Sequence, residues 1–180
     1  MIPQLQTERL IMRGPGAQDF ESFAAMMADP DVARYIAPAP MERADAWRAL
    51  SAAIGHWSLR GYGAWTVVRK SDGAYVGRVG MINPEGWPGL EIGWTLAKQF
   101  WGHGFATEAA AAAMRYAFLT QPVDHLISNI DPENTASQAV ATRLGETKGA
   151  RSALRISGKD YPIDVWAITR DQWRAQQRSQ

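Results

Sequence analysis

The stretch LEIGWTLAKQFWGHGFATEA, residues 90–109, holds a strand, a short loop and the start of a helix. The apolar run that ends at Leu96 predicts the strand, and the alanine-rich segment after Phe105 predicts the helix. Gly102 and Gly104 lie between them, where the lack of a side chain lets the backbone approach a ligand closely. Because the first amides of a helix are unpaired donors at the positive end of its dipole, this junction favours a bound phosphate. Two glycines alone are equally consistent with a plain tight turn.

Outward from this stretch, hydrophobic periodicity predicts a mixed sheet flanked by helices. Asp19 is expected to cap a helix that Asp29-Pro30 ends, and Ser157-Gly158 is expected to turn the last two strands. Strands are predicted at Leu5–Arg13, Ala64–Arg69, Tyr75–Ile82, Leu90–Leu96, Leu126–Ile130, Thr147–Ile156 and Tyr161–Thr169, and further helices at Glu42–Arg60, Phe105–Leu119, Asn134–Leu144 and Asp171–Gln177. Consecutive hairpin strands followed by one β-α-β crossover indicate an α/β (α+β) fold with a mostly antiparallel, twisted sheet.

Composition narrows the class of protein without fixing its function. The 180 residues, free of repeats and linkers, suit a single domain over 1–180, and 46% hydrophobic and 21% charged residues are ordinary globular values. A net charge of +1 gives no basic footprint for direct nucleic-acid binding. Zero cysteines exclude thiolate chemistry. The chain start lacks the pattern of a signal peptide, and no apolar run approaches the ~18 residues of a membrane span, so we expect a cytoplasmic protein without membrane contact.

The segment Trp101-Gly-His-Gly-Phe-Ala-Thr-Glu-Ala109 resembles the acetyl-CoA-binding segment of the GCN5-related N-acetyltransferase (GNAT) superfamily. The family pattern is Gln/Arg-x-x-Gly-x-Gly/Ala, and Trp101, Gly104 and Ala106 occupy its fixed places. Tryptophan at the first place departs from the broad pattern but is usual in the branch of the ribosomal-protein-alanine N-acetyltransferases, which this chain most resembles. A second register, beginning at Gln99, would misplace the helix start and is rejected.

The resemblance extends over nearly the whole chain. It includes Thr7-Glu-Arg-Leu-Ile-Met-Arg13, Glu91-Ile-Gly-Trp94, Pro132-Glu-Asn-Thr-Ala-Ser137 and Leu144-Gly145, in order and at familiar spacing. Competing phosphate-binding folds fit less well. A dinucleotide fold places its glycine fingerprint at the first βα turn of repeated βαβ units, whereas three antiparallel-looking strands precede it here. A P-loop needs Gly-Lys-Ser/Thr, which the sequence lacks.

The resemblance implies acetyl-CoA as cosubstrate, and no metal is expected because His56, His103 and His125 do not have a metal-ligand spacing. Backbone groups around Trp94 would pair with the pantetheine arm like an added strand, and the loop amides, with the Thr107 hydroxyl, would hold the pyrophosphate. Asn134 matches the family's asparagine that contacts the arm, although it is also a good N-cap residue. The implied cofactor contacts are Trp94, Thr95, Leu96, Trp101, Gly102, His103, Gly104, Phe105, Ala106, Thr107 and Asn134.

Acyl transfer to an amine needs a base for the amine and a donor for the departing thiolate. Glu91 is the leading base, because burial on both faces of its strand would raise its pKa toward neutrality; a solvated or salt-bridged glutamate is the alternative. Many family members use a tyrosine at the place that is Ala141 here, so Ser137 is the candidate donor, with helix capping as its rival role. Glu108 is a weaker candidate base, since a carboxylate near a helix start is favoured by the dipole alone.

The acceptor is left open by the sequence. A protein N-terminus, a small amine or amino acid, and an amine-bearing antibiotic all fit, and Trp87 and Arg34-Tyr35 are expected to line its site. Most of the other tryptophans, Trp47 among them, fall at core positions of helices and strands. The chain is expected to act as a monomer or homodimer. A CoA-binding regulatory module without catalysis is the alternative function, since the usual tyrosine is missing.

Overall fold

One mixed sheet carries helices packed against it. The structure is a computed structural model that describes residues 1–37, 39–156 and 158–178. The strands are β1 (Leu5–Gln6), β2 (Leu10–Arg13), β3 (Ala64–Arg69), β4 (Tyr75–Ile82), β5 (Glu91–Leu96), β6 (His125–Ile130), β7 (Thr147–Ile156) and β8 (Lys159–Thr169). The helices are α1 (Phe20–Ala28), α2 (Pro30–Ala33), α3 (Arg43–Arg60), α4 (Phe105–Thr120), α5 (Thr135–Leu144) and α6 (Arg170–Arg178).

The strands of the described residues lie in the order β1-β2-β3-β4-β5-β6-β8-β7. Neighbours pair antiparallel except β5 and β6, which are parallel and joined by α4. This arrangement confirms the predicted mixed, mostly antiparallel sheet with one β-α-β crossover.

Helix α4 lies close to the sheet because its inner face is built from small residues. Ala109, Ala110, Ala113 and Ala117 are fully buried in the core. Alanine combines high helix propensity with a short side chain, so the helix axis can approach the strands closely. The alanines thereby fix where the amides at the start of α4 point.

The predicted first strand, Leu5–Arg13, is wrong as a single element. The chain leaves the sheet between β1 and β2, where the Thr7 amide donates to the Leu10 carbonyl. The side chains of this turn bind Glu108 in the first turn of α4: the Thr7 hydroxyl donates to its Oε1 over 2.5 Å and the Arg9 Nε to its Oε2 over 2.7 Å. A contact about 100 residues away in sequence therefore splits the strand.

Two further predictions on single residues are also wrong. Asp19 makes no side-chain cap to α1; its carboxylate instead accepts from the Arg13 guanidinium, the Thr66 hydroxyl and the Gly16 amide. Trp47, expected in the core, is 53% exposed and packs its ring edge-on against Phe20. The predicted turn at Ser157-Gly158 falls partly outside the described residues, which omit Ser157.

Across the part of the chain that the structure describes, no helix has both the length and the apolarity that a membrane crossing requires.

Candidate active site

Strands β5 and β6 separate soon after they begin to pair. Along the described length of both strands they share one register pair, Glu91 with Ile127. On the other side of β5, the Ala97 amide donates to the Val76 carbonyl of β4. Because the backbone groups of successive residues point to opposite sides of a strand, those of Trp94 and Leu96 point away from β4, into the gap between β5 and β6. The Trp101 indole N–H donates a hydrogen bond to the Leu96 carbonyl at 2.8 Å. The N–H and C=O of Trp94 are thus left without a strand partner among the described residues and form an open edge.

The larger cavity, of about 900 Å³, lies between this edge and the starts of α4 and α5. The first intrahelical bond of α4 runs from the Glu108 amide to the Gly104 carbonyl, and the N-cap position makes no side-chain hydrogen bond. The amides of Phe105, Ala106 and Thr107 therefore have no partner within the helix. A cavity that opens onto three free amides at the positive end of a helix dipole is suited to phosphate oxygens.

The loop before α4 needs glycine at two positions. Gly102 and Gly104 both have a φ of 78°, in the left-handed region that residues with a Cβ rarely adopt. Gly104 is also the N-cap of α4, so its conformation sets the direction of the first helical amides. This local requirement explains why the loop carries glycine whatever else it binds.

Glu108 connects the start of α4 to the turn between β1 and β2. Burial alone would raise the pKa of Glu108, but hydrogen bonds from Thr7 and from the Arg9 amide and guanidinium outweigh it and hold the pKa below its ordinary value. Arg9 also donates to the His103 carbonyl and lies over the Phe105 ring at 4.6 Å from its centroid. These contacts tie the β1–β2 turn to the glycine loop and occupy the carboxylate.

Glu91 lies in a second, smaller cavity of about 390 Å³. Its side chain is buried, with Oε2 accepting from the Trp87 indole at 2.5 Å and from the Asn129 amide at 2.7 Å. Burial raises the pKa of Glu91 above its ordinary value, although the hydrogen bonds from Trp87 and Asn129 and the charge of Arg78 favour the ionised form. The expected desolvation of Glu91 is thus confirmed. Trp87 and Tyr35, which the sequence places near an acceptor, line the same cavity.

The two cavities share a wall formed by Trp94, Thr95, Asn134, Ser137 and the Arg34–Ile36 segment. The Ser137 hydroxyl accepts from the Trp94 indole at 3.2 Å. Among the described residues its own hydrogen has no acceptor, so it can donate into the cavities. Asn134 caps α5 through Oδ1, which accepts from the Ser137 amide at 3.0 Å, and its side-chain NH₂ stays available. Capping and ligand contact are therefore compatible.

A second buried carboxyl lies beside Ser128, which lines the smaller cavity. Glu146 is 3% exposed, and burial together with the negative charge of Glu91 raises its pKa to about 8, despite a hydrogen bond with Ser128. The Ser128 hydroxyl lies 2.8 Å from the Ile92 carbonyl and 3.0 Å from Glu146 Oε1. One hydroxyl hydrogen can serve only one of these acceptors, so both contacts are hydrogen bonds only when Glu146 carries a proton.

The structure brings most of the predicted cofactor residues to one cavity. All of them line the larger cavity except His103, whose side chain is exposed and whose carbonyl binds Arg9. The sequence did not predict Asn129, Ser128 and Glu146 as site residues. Asn129 and Ser128 lie on β6 and Glu146 directly precedes β7. Their closeness to Glu91 and to each other depends on the arrangement of the strands in the sheet. Arg78 was also missed, although a single charged residue inside the otherwise apolar stretch Tyr75–Ile82 is a signal that could have found it.

Comparison with known proteins agrees with this geometry. A family model described as an acetyltransferase (GNAT) domain matches residues 9–147. An uncharacterized N-acetyltransferase, p20, of Bacillus licheniformis is 30% identical over 92% of this chain and 94% of its own length. The [ribosomal protein uS5]-alanine N-acetyltransferase of Escherichia coli is 32% identical over 46% of this chain and 43% of its own length. An acetyltransferase structure from Agrobacterium tumefaciens superimposes with a TM-score of 0.82 at 30% identity, over 94% of this chain and 96% of its own.

Proposed function

Because the chain belongs to the GNAT family and is an acetyl-CoA-dependent N-acetyltransferase, we propose that it acetylates a primary amine held in the smaller cavity. The observation that carries this proposal is the junction of the two cavities. A buried carboxyl with a raised pKa lines the smaller cavity, and the open edge of β5 and the free amides of α4 line the larger one.

On the donor side, the amides of Phe105, Ala106 and Thr107 would bind the pyrophosphate of acetyl-CoA. The free N–H and C=O of Trp94 would pair with the pantetheine arm as a neighbouring strand does. Asn134 would contact the same arm through its NH₂ group. These groups direct the thioester toward the wall shared by the two cavities.

On the acceptor side, Glu91 would take a proton from the ammonium form of the amine, directly or through water. The free amine then attacks the thioester carbonyl carbon, the new C–N bond forms, and the C–S bond breaks as the electron pair leaves on sulfur. Ser137 would donate its hydroxyl hydrogen bond to the departing thiolate, in place of the tyrosine that Ala141 replaces. The amine nitrogen loses its second proton as the amide product forms, and this proton goes to the thiolate sulfur, directly or through water, so CoA leaves as the free thiol.

The test is release of free CoA thiol from acetyl-CoA by the full chain across a panel of amines, amino acids and peptides. We expect turnover with at least one class of primary amine and none with secondary alcohols. Tight acetyl-CoA binding without turnover on any amine would overturn the proposal. A cytoplasmic location and the state of a monomer or homodimer stay predictions.

A further inference from the structure

Arg78, on β4, lines the smaller cavity. Its strand register places it opposite Thr95 on β5, a residue of the wall shared by both cavities. The guanidinium lies over the Phe23 ring, 5.6 Å from the centroid, and burial lowers the pKa of Arg78. A partly desolvated arginine therefore borders the proposed acceptor site.

This guanidinium has no hydrogen bond and no ion pair among the described residues. It carries five N–H donors in a fixed fork that matches the two oxygens of a carboxylate. Another half-buried arginine, Arg13, is by contrast paired with Asp19, with contacts of 2.9 and 2.5 Å. Partial removal of a charge from water without a hydrogen-bond partner is costly, so the open donors of the half-buried Arg78 are unusual.

Glu91 does not fill this vacancy, although both residues line the same cavity. Its oxygens are held by Trp87 and Asn129, and it forms no ion pair with Arg78. Glu91 and Arg78 therefore attract each other through their charges without a direct contact, and Arg34 and Asp131 also line the cavity. Its remaining walls include the apolar side chains of Ile82, Leu154 and Ile163.

We propose that the acceptor is a small molecule that carries both a primary amine and a carboxylate, such as a free amino acid with an apolar side chain. This inference rests on the proposed function. Arg78 binds the carboxylate through two parallel N–H···O bonds, and Glu91 receives the amine. A volume of about 390 Å³ is at the small end of the range for ligand sites, about 300–1,000 Å³. A peptide N-terminus has a neutral amide in place of the carboxylate and would leave Arg78 without a partner.

The experiment compares acceptors that differ only at the carboxyl group. Thiol release is measured with leucine, phenylalanine and methionine. Each is compared with its amide and with a dipeptide that has the same residue at its N-terminus. The amine of an amide is less basic and more of it is free at neutral pH, so this comparison is biased against the carboxylate. We expect kcat/KM to favour the acids by about 10- to 100-fold, the range of a hydrogen bond to a charged group.

The variant Arg78→Gln should bring the ratio of acid to amide close to one by lowering kcat/KM for the acids alone. Arg48→Gln is the matched control, because Arg48 lines neither cavity and is 74% exposed beside Asp45 on α3, and it should leave that ratio unchanged. Calorimetry should give both variants wild-type affinity for acetyl-CoA, which shows that the fold is intact.

The possible failures are distinguishable. If amides and peptides react as well as acids, or if Arg78→Gln lowers all acceptors equally, the carboxylate site is wrong while the amine transfer stands. If no amine reacts, binding of phenylalanine to the CoA-saturated chain is measured by calorimetry. Binding to the wild type that Arg78→Gln abolishes would still support the carboxylate site, and its absence in both would overturn it.

Discussion

Glu91 is a carboxyl that burial makes a better base at neutral pH. Its ionised form is disfavoured by desolvation, so its pKa lies above the ordinary carboxyl range and the base form accumulates as the pH rises. We expect the wild-type rate to rise through this pKa. Glu91→Gln should lower the rate about 10²- to 10⁴-fold at neutral pH, and less at alkaline pH where the amine is already free.

The measurement for Glu91 is a pH profile of kcat/KM for both proteins. Glu85→Gln is the control, since that glutamate is fully exposed in the neighbouring loop and should keep the wild-type profile. A Glu91→Gln profile with the same shape and height as that of the wild type would remove Glu91 from the mechanism.

Glu146 should make the folded chain less stable as the pH rises. The folded-state pKa is about 8, against about 4.3 for an unperturbed glutamate. Between these values the folded state holds a proton that the unfolded state has lost, so the free energy of unfolding falls by up to about 1.4 kcal/mol per pH unit. Glu146→Gln keeps the shape and a donor for Ser128, and it removes this loss.

Urea unfolding of both proteins at pH 6, 7 and 8 checks the effect of Glu146. Glu91 contributes a slope of the same sign in both proteins, so the difference between them is due to Glu146 together with its repulsion by Glu91. The free energy of unfolding of the variant, relative to that of the wild type, should rise with each step in pH. Parallel stability curves would show that Glu146 is ionised in the folded chain.

A substitution in the glycine loop before helix α4 should weaken cofactor binding more than its effect on the stability of the fold would explain. Valine at position 104 would be strained, because β-branched residues avoid a positive φ, and it would redirect the first amides of α4. Gly104→Val should weaken acetyl-CoA binding at least about 10-fold, since a hydrogen bond to a charged group contributes about 1.5–3 kcal/mol.

Gly73→Val is the matched control for Gly104→Val. Gly73 has a similar φ of 71° and open space around its Cβ direction, but it lies in the turn between β3 and β4. Both variants should lose comparable stability in urea, whereas calorimetry should show weaker acetyl-CoA binding for Gly104→Val alone. Equal affinities in the two variants would contradict the phosphate role of the loop.

The sequence was sufficient to predict those strands and helices whose bounds are set by neighbouring residues. The bounds of β3, β4 and β7 match the predictions, and those of α3, α4 and α5 differ by one residue. The split of Leu5–Arg13 and the exposure of Trp47 were not predictable in this way. They depend on the tertiary contacts of Arg9 with α4 and of Trp47 with Phe20, which local periodicity does not encode.

The candidate site shows the same division. The phosphate loop is a local motif, so its residues were found together, and Glu91 was found because a charged residue in an apolar strand is conspicuous. Its partner Asn129 lies 38 residues away and meets it only because β5 and β6 are parallel neighbours. That residues 1–180 form one N-acetyltransferase domain, and that Ser137 supplies the donor, stay predictions.

For the chain as a whole, bound acetyl-CoA should raise stability by linkage. A ligand at 100 times its Kd stabilises the folded state by about 2.7 kcal/mol, which corresponds to several degrees of Tm for a chain of this size. Thermal unfolding with and without acetyl-CoA measures this shift. Gly104→Val, with binding at least about 10-fold weaker, should show about half that shift or less at the same concentration, and an equal shift in both proteins would place the ligand elsewhere.

The gap between β5 and β6 also determines how backbone hydrogens exchange with solvent. The Trp94 amide faces the gap without a strand partner, so in the empty chain it should exchange quickly although it lies in the middle of a sheet. A pantetheine arm in the gap would protect it as a neighbouring strand would. This amide is therefore a reporter of cofactor occupancy that needs neither turnover nor a known acceptor.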